Sequence, residues 1–166
     1  MLLFVVYCTI MDRIDRTICG ILQRDGQATA VQLGKAAGIP SSTANDRVRR
    51  LVDAGVIKRW AAQLDPEMAG LTVLAFVFVL LERPEHTAPF LKAMDALDAV
   101  LECHHITGEW SDLLKVRTAS IAELEKLINE EIKACRGVVR TLTMIALSSP
   151  KETSALPLGH LAADAR

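Results

Sequence analysis

The sequence predicts an α+β protein, an N-terminal winged helix-turn-helix domain followed by a C-terminal ferredoxin-like βαββαβ domain, on three observations. Residues 12–55 carry three short apolar stripes of helical period, each followed by a glycine. From Leu71 the period changes to that of strands alternating with helices. Charge divides near the same place: residues 12–60 hold nine Lys/Arg against five Asp, a local +4, while the whole chain is −1. The expected divisions are an apolar leader (1–10), the helix-turn-helix domain (11–57), a strand linker (58–70), the ferredoxin-like domain (71–150) and a tail (151–166).

In the first domain, Ile14, Ile18, Ile21 and Leu22 recur at i, i+4, i+7 and i+8, giving a helix from near Asp12 to before Gly26. Thr29 and Gln32 form a capping box for a second helix, which carries Leu33, Ala36 and Ala37 and stops at Gly38. After Gly38-Ile39-Pro40, the hydroxyls of Ser41, Ser42 and Thr43 supply the start of a third helix. Ala44, Val48, Leu51 and Val52 form its inner stripe, and Gly55 ends it. Val56 to Leu64 is rich in β-formers up to Asp65-Pro66 and reads as a linking strand.

In the second domain, Leu71 to Leu81 reads as a strand apolar on both faces, with Val73, Ala75, Val77 and Val79 opposite Leu74, Phe76, Phe78 and Leu80. Thr87 and Pro89 open a helix with Phe90, Leu91, Met94 and Leu97 inward. Val100–Thr107 is the second strand, Trp110 or Ser111 to Thr118 the third and Val138–Leu147 the fourth. Between the last two, Ser120 and Glu123 cap a helix carrying Ile121, Leu124, Leu127, Ile128 and Ile132. Both helices of such a unit cover one sheet face, so the other is left apolar and in need of a partner sheet. The sequence therefore predicts at least a homodimer.

Composition narrows the function. With 166 residues, 51% hydrophobic and 23% charged, the chain suits a folded protein and excludes a disordered or collagen-like one. The four cysteines are far apart and match neither a disulfide framework nor a zinc site, so no metal or cofactor is expected and the cytoplasm is the default location. The Met1–Ile10 run lacks the features of a signal peptide and is about half a membrane span. It reads as an upstream start-codon artefact, with Met11 as the true start, or as an accessory strand.

Candidate binding residues follow from geometry. With the apolar stripe of helix three turned inward, Ser42, Asp46, Arg49 and Arg50 point out, and Asn45 and Arg47 lie on the flanks. Hydroxyls of Ser41, Ser42 and Thr43 suit phosphates or base edges, and an arginine suits a phosphate or the O6/N7 pair of guanine, so duplex DNA is one partner this face fits. A solvated helix face is the alternative. Lys58 and Arg59 read equally as a DNA-backbone contact or a charged hinge. At the turn between the central strands, Gly108 lets backbone amides approach a carboxylate, and Glu109 or Asp112 offers an acceptor for an ammonium group. A plain hairpin with Trp110 packed inward is the alternative there. His104 and His105, adjacent on a strand, project to opposite faces and cannot share a metal or substrate, so one is expected to pack inward. No hydrolase, P-loop, dinucleotide or metalloprotease motif is present, and no enzyme is expected.

The order of these parts, with Asp12-Arg13-Ile14-Asp15-Arg16, Arg47-Val48-Arg49-Arg50-Leu51, Ala54-Gly55-Val56-Ile57 and Glu102-Cys103-His104-His105-Ile106-Thr107-Gly108, resembles the Lrp/AsnC (feast/famine) family of transcription regulators. Leu113-Leu114-Lys115-Val116, Gly137-Val138 and Thr141-Leu142-Thr143 extend the match to about Lys151. The resemblance implies a RAM-type second domain, dimers assembling to an octamer, and sensing of an amino acid or related metabolite. It also implies an inter-dimer pocket to which Thr107, Gly108, Glu109, Trp110, Asp112, Thr141 and Thr143 would contribute. Two departures stand out: Pro40-Ser41 where the family often has Ser-Pro, and Ser111-Asp112 where many relatives carry Asp and an aromatic. The altered turn keeps open an architectural DNA-binding protein that needs no ligand.

Overall fold

The computed structural model describes residues 11–158; the apolar leader and the last part of the tail lie outside the described residues. The chain divides into two compact units, one running to Gln63 and taken up again from Glu152, the other spanning Leu64–Lys151.

In the first unit α1 (Arg13–Leu22) starts at Asp12. The Asp12 carboxylate accepts the Asp15 N–H at 2.8 Å, and the Asp15 carboxylate accepts the Asp12 N–H at 3.3 Å. α2 (Ala30–Ala37) has the reciprocal Thr29/Gln32 box and ends on Gly38 in the left-handed region at φ +69°. α3 (Ser41–Asp53) corrects one expectation: Pro40 is the N-cap, and no side chain caps the helix. The turn decides this. At Gly34 a Cβ would lie 2.7 Å from the Ile39 carbonyl oxygen, so α2 and the turn pack backbone on backbone and α3 begins directly after Pro40. Ser41, Ser42 and Thr43 therefore occupy the first turn itself, with exposed side chains. Ile18, Cys19, Leu33, Ala44 and Leu51 form the core.

Val56 to Leu64 forms no strand. The N–H groups of Val56 and Ile57 both donate back to the Leu51 carbonyl, at 2.9 and 3.1 Å, and close the end of α3 around Gly55 at φ +70°. β-forming residues without a partner strand then continue as irregular chain. The tail returns to this unit. The Gln23 amide donates to the Leu156 carbonyl at 3.2 Å and accepts the Leu156 N–H at 2.6 Å, and Leu158 packs against the helical core.

The second unit is an antiparallel four-stranded sheet of β1 (Val73–Leu81), β2 (Val100–His105), β3 (Asp112–Thr118) and β4 (Val138–Ile145), in the spatial order β2-β3-β1-β4. This is the expected ferredoxin-like arrangement. α4 (Thr87–Asp95), entered through a 3₁₀ turn at Pro84–His86, and α5 (Ile121–Lys126), continued by a π-helical stretch at Leu127–Ile132, bring Phe90, Met94, Leu124, Leu127 and Ile132 onto Ala75, Val77, Val79, Leu81, Leu114 and Val116. Leu91 and Ile121, expected inward, are exposed. Each helix buries a narrower stripe than its apolar residues would allow, because it meets only a sheet on one side. The other sheet face carries Phe76, Phe78 and Leu80 on β1 with Leu142 and Met144 on β4, half-buried or exposed.

Candidate nucleic-acid interface and effector turn

α3 presents Ser41, Ser42, Thr43, Asn45, Asp46, Arg49 and Arg50 to solvent, with Arg47 half-buried. The three arginines are not equivalent. Asp15 on α1 is 1% exposed, and its two oxygens take Arg47 Nη1 at 2.9 Å and Arg50 Nη2 at 2.6 Å. Asp12 adds a second bond to Arg47 Nη1 at 2.5 Å. The predicted outward Arg50 thus reaches back to α1, as does Arg47 from its flank. A long side chain follows the nearest buried opposite charge, which helical periodicity does not register. Arg49 makes no ion pair or side-chain hydrogen bond among the described residues.

Electrostatics reinforce this staple. Burial tends to raise the Asp12 carboxyl, but the Asp15 amide and the Arg47 guanidinium outweigh it and hold the group below its ordinary value. Hydrogen bonds to Asp12 and then Asp15 keep Arg47 more firmly protonated than usual. Asp15 is the functional residue that sequence reasoning missed. Its signal was available: an acid on the inner side of an amphipathic helix demands a buried cationic partner.

The effector-turn candidates fall into two groups. On β3, Asp112 stands opposite Val79, and on β4, Thr141 and Thr143 stand opposite Val79 and Val77, so all three share the helix-covered face. Asp112 is fully buried. One oxygen meets His105 Nδ1 at 3.1 Å and the other has no hydrogen-bond partner. Trp110 belongs to the open face: its ring lies 5.9 Å from that of Phe78, and the Arg140 guanidinium stacks 4.5 Å above it. Glu109 closes an ion pair with Arg140. Thr107 and Gly108 are exposed in the turn, Gly108 at φ +111°. Within one chain, then, Glu109 and Trp110 are brought together, and Asp112, Thr141 and Thr143 lie on the other side of the sheet. Arg140 went unpredicted. A charge in register with Leu142 and Met144, at period two on an apolar face, was the cue.

Neither histidine is packed inward. His104 bonds Glu102 at 3.0 Å, His105 bonds Asp112, and both are exposed because β2 is an edge strand. Lys115 joins Glu102 at 3.2 Å. The His104 hydrogen bond, against a smaller opposing effect of burial and with Lys115 assisting, holds Glu102 below its ordinary value. No cluster of three metal-ligating side chains occurs among the described residues, and none of their helices is long and apolar enough to cross a membrane.

Comparison with known proteins bears on both units. Residues 11–58 match a winged helix-turn-helix DNA-binding model and residues 74–156 match an Lrp/AsnC ligand binding domain model. The chain is 34% identical over 148 residues to the HTH-type transcriptional regulator FL11 of Pyrococcus horikoshii, covering 89% of this chain and 97% of that one. Similarity to the leucine-responsive regulatory protein of Escherichia coli is also 34%, over 88% of this chain and 90% of the relative. Among solved structures, the L-Met complex of a Neisseria meningitidis transcriptional regulator superposes with a TM-score of 0.85 at 28% identity, over 91% of this chain and 99% of that one. Escherichia coli AsnC does so at 0.80 and 26%, over 87% and 97%.

Proposed function

Because the chain belongs to the Lrp/AsnC family, a family of transcriptional regulators with a DNA-binding and a ligand-binding domain, we propose that it is a sequence-specific cytoplasmic regulator that reads duplex DNA with α3, assembles from dimers and responds to an amino acid. The observation that carries the DNA reading is Arg49. It is exposed on α3, whose first turn carries Ser41, Ser42 and Thr43, and no acid engages it among the described residues. Such an arginine can hold a phosphate or read guanine. The open sheet face, apolar along β1 and β4, supports pairing with a second copy, and the family supports larger rings such as the octamer. The neighbour solved with L-Met supports an amino-acid effector. The turn at 107–110, with Arg140 stacked on Trp110, is where a carboxylate and an ammonium group would find opposite charges, and Asp112, Thr141 and Thr143 would enter as the second wall or through an adjoining dimer. Ligand binding at an interface between dimers would alter how many copies of α3 engage one DNA.

The test is recovery of genomic DNA fragments by the full chain, wild type and Arg49→Ala, with and without each of the twenty amino acids. Wild type enriches a defined set of fragments, at least one amino acid shifts the set, and Arg49→Ala loses it. Equal recovery under every amino acid would favour the ligand-independent architectural alternative, and equal recovery by both proteins would remove α3 from the interface.

A further inference from the structure

Arg47 and Arg50 raise a question that the DNA-reading role of α3 leaves open. Three arginines within four residues of a recognition helix would ordinarily all be drawn to phosphates, and such binding is indifferent to sequence. Here two of the three end on one buried carboxylate. Asp15 is 1% exposed, bonds both guanidinium groups at 2.9 and 2.6 Å, and shares Arg47 with Asp12. For either arginine to swing to a phosphate it would leave a buried carboxylate with one cation fewer, which is strongly unfavourable. Arg50 is the sharper case. Its side chain is 59% exposed, so reach is not what withholds it; the bond to Asp15 is.

We propose that Asp15 is a positioning residue for DNA recognition: by holding Arg47 and Arg50 against α1, it keeps them out of non-specific phosphate binding and leaves Arg49 as the guanidinium of α3 that meets DNA. The four charges of Asp12, Asp15, Arg47 and Arg50 cancel, so the local +4 of residues 12–60 resides in other residues, and Arg49 is the remaining cation of α3. Selectivity is then gained by subtraction, since a helix with fewer phosphate-seeking cations gains less from the wrong sequence.

This inference rests on α3 being the DNA-reading helix, and the experiment separates the two. Binding of the full chain to a random-sequence 30-base-pair duplex is measured against salt concentration for wild type, Asp15→Asn, Arg49→Gln and Arg50→Gln. Each phosphate neutralised steepens the slope of log K against log salt by about 0.9. Asp15→Asn keeps the shape of the side chain and removes its charge. It is expected to release Arg50, steepen the slope by about one and tighten non-specific binding severalfold at low salt. A staple with only a structural role would instead weaken binding or leave the slope unchanged, and that result overturns the proposal. Arg50→Gln, which retains the Asp15–Arg47 pair should Asp15→Asn fail to fold, is expected to leave the slope as in wild type while Arg49→Gln makes it shallower by about one. A slope that falls with Arg50→Gln and not with Arg49→Gln overturns the positioning role while leaving α3 as the DNA-reading helix. Slopes unchanged in every variant overturn both.

Discussion

The two units solve the same problem, holding helices in place, with different forces. In the helical unit the buried apolar set is small, with two of its five members no larger than Cys19 and Ala44, and a buried carboxylate bridging α1 to α3 supplements it. In the sheet unit eleven buried apolar residues lie between strands and helices, and its buried carboxylate, Asp112, meets His105 on the neighbouring strand instead of joining two helices. Their outer faces differ accordingly: the helical unit shows polar and charged side chains along α3, the sheet unit shows Phe76, Phe78, Leu142 and Met144. Charge that is visible in sequence is therefore not the same as charge available to a partner, whereas the one-sided sheet leaves Leu142 and Met144 exposed and Phe76 and Phe78 half-buried on its open face.

The largest expected effect tests the two faces of β1 against each other. Val77→Asp puts a charge under the helices, where Val77 is fully buried, and should cost several kcal/mol and unfold the sheet unit, read by circular dichroism. Phe76→Asp places the charge on the open face and should leave the fold intact while abolishing self-association, read by light scattering. A monomeric wild type at micromolar concentration would remove the self-pairing proposed for that face.

A smaller effect asks whether the helical unit depends on chain far from it in sequence. Ending the protein at Lys151 removes the paired Gln23–Leu156 hydrogen bonds and the packing of Leu158. The expected loss is about 1–2 kcal/mol, since both bonds are exposed and Leu158 is only partly buried. It should appear as faster amide exchange in α1 with strands β1–β4 unchanged.

The smallest effect is electrostatic and distinguishes the units by pH. Asp12 and Glu102 are both held below their ordinary values of 3.8 and 4.5 in the folded chain. A depressed folded value means that the stabilisation is fully present above the ordinary value and is lost as pH falls through the folded one. Both carboxylates are about half exposed, so solvent screens much of the gain. Asp12→Asn should flatten the acid limb of melting for the helical unit alone, and Glu102→Gln for the sheet unit alone.

Much of this architecture was legible in local pattern. Thr29 with Gln32, Ser120 with Glu123, and the glycines after α2 and α3 place element ends within a few residues, because caps and left-handed turns act over three or four positions. Alternation along Val73–Leu81 tells that the strand has two apolar faces. The same local reading misplaced the start of α3, since Pro40 caps it only because Gly34 brings the turn against α2.

What the sequence by itself determined is the succession of helices and strands, their burial periods, and the residue types on α3 and the 107–110 turn, all of which depend on neighbours within a few positions. Only the tertiary structure decided the ownership of charge and the grouping of the turn. Asp15 meets Arg47 and Arg50 across more than thirty residues, and Arg140 stacks on Trp110 across thirty. The register of β1 with β3 and β4 puts Asp112, Thr141 and Thr143 under the helices while Trp110 joins Phe78 outside. The physical reason is common to all of them: a long or charged side chain settles where burial and opposite charge meet in space, and that place is set by strand register and helix packing rather than by spacing along the chain.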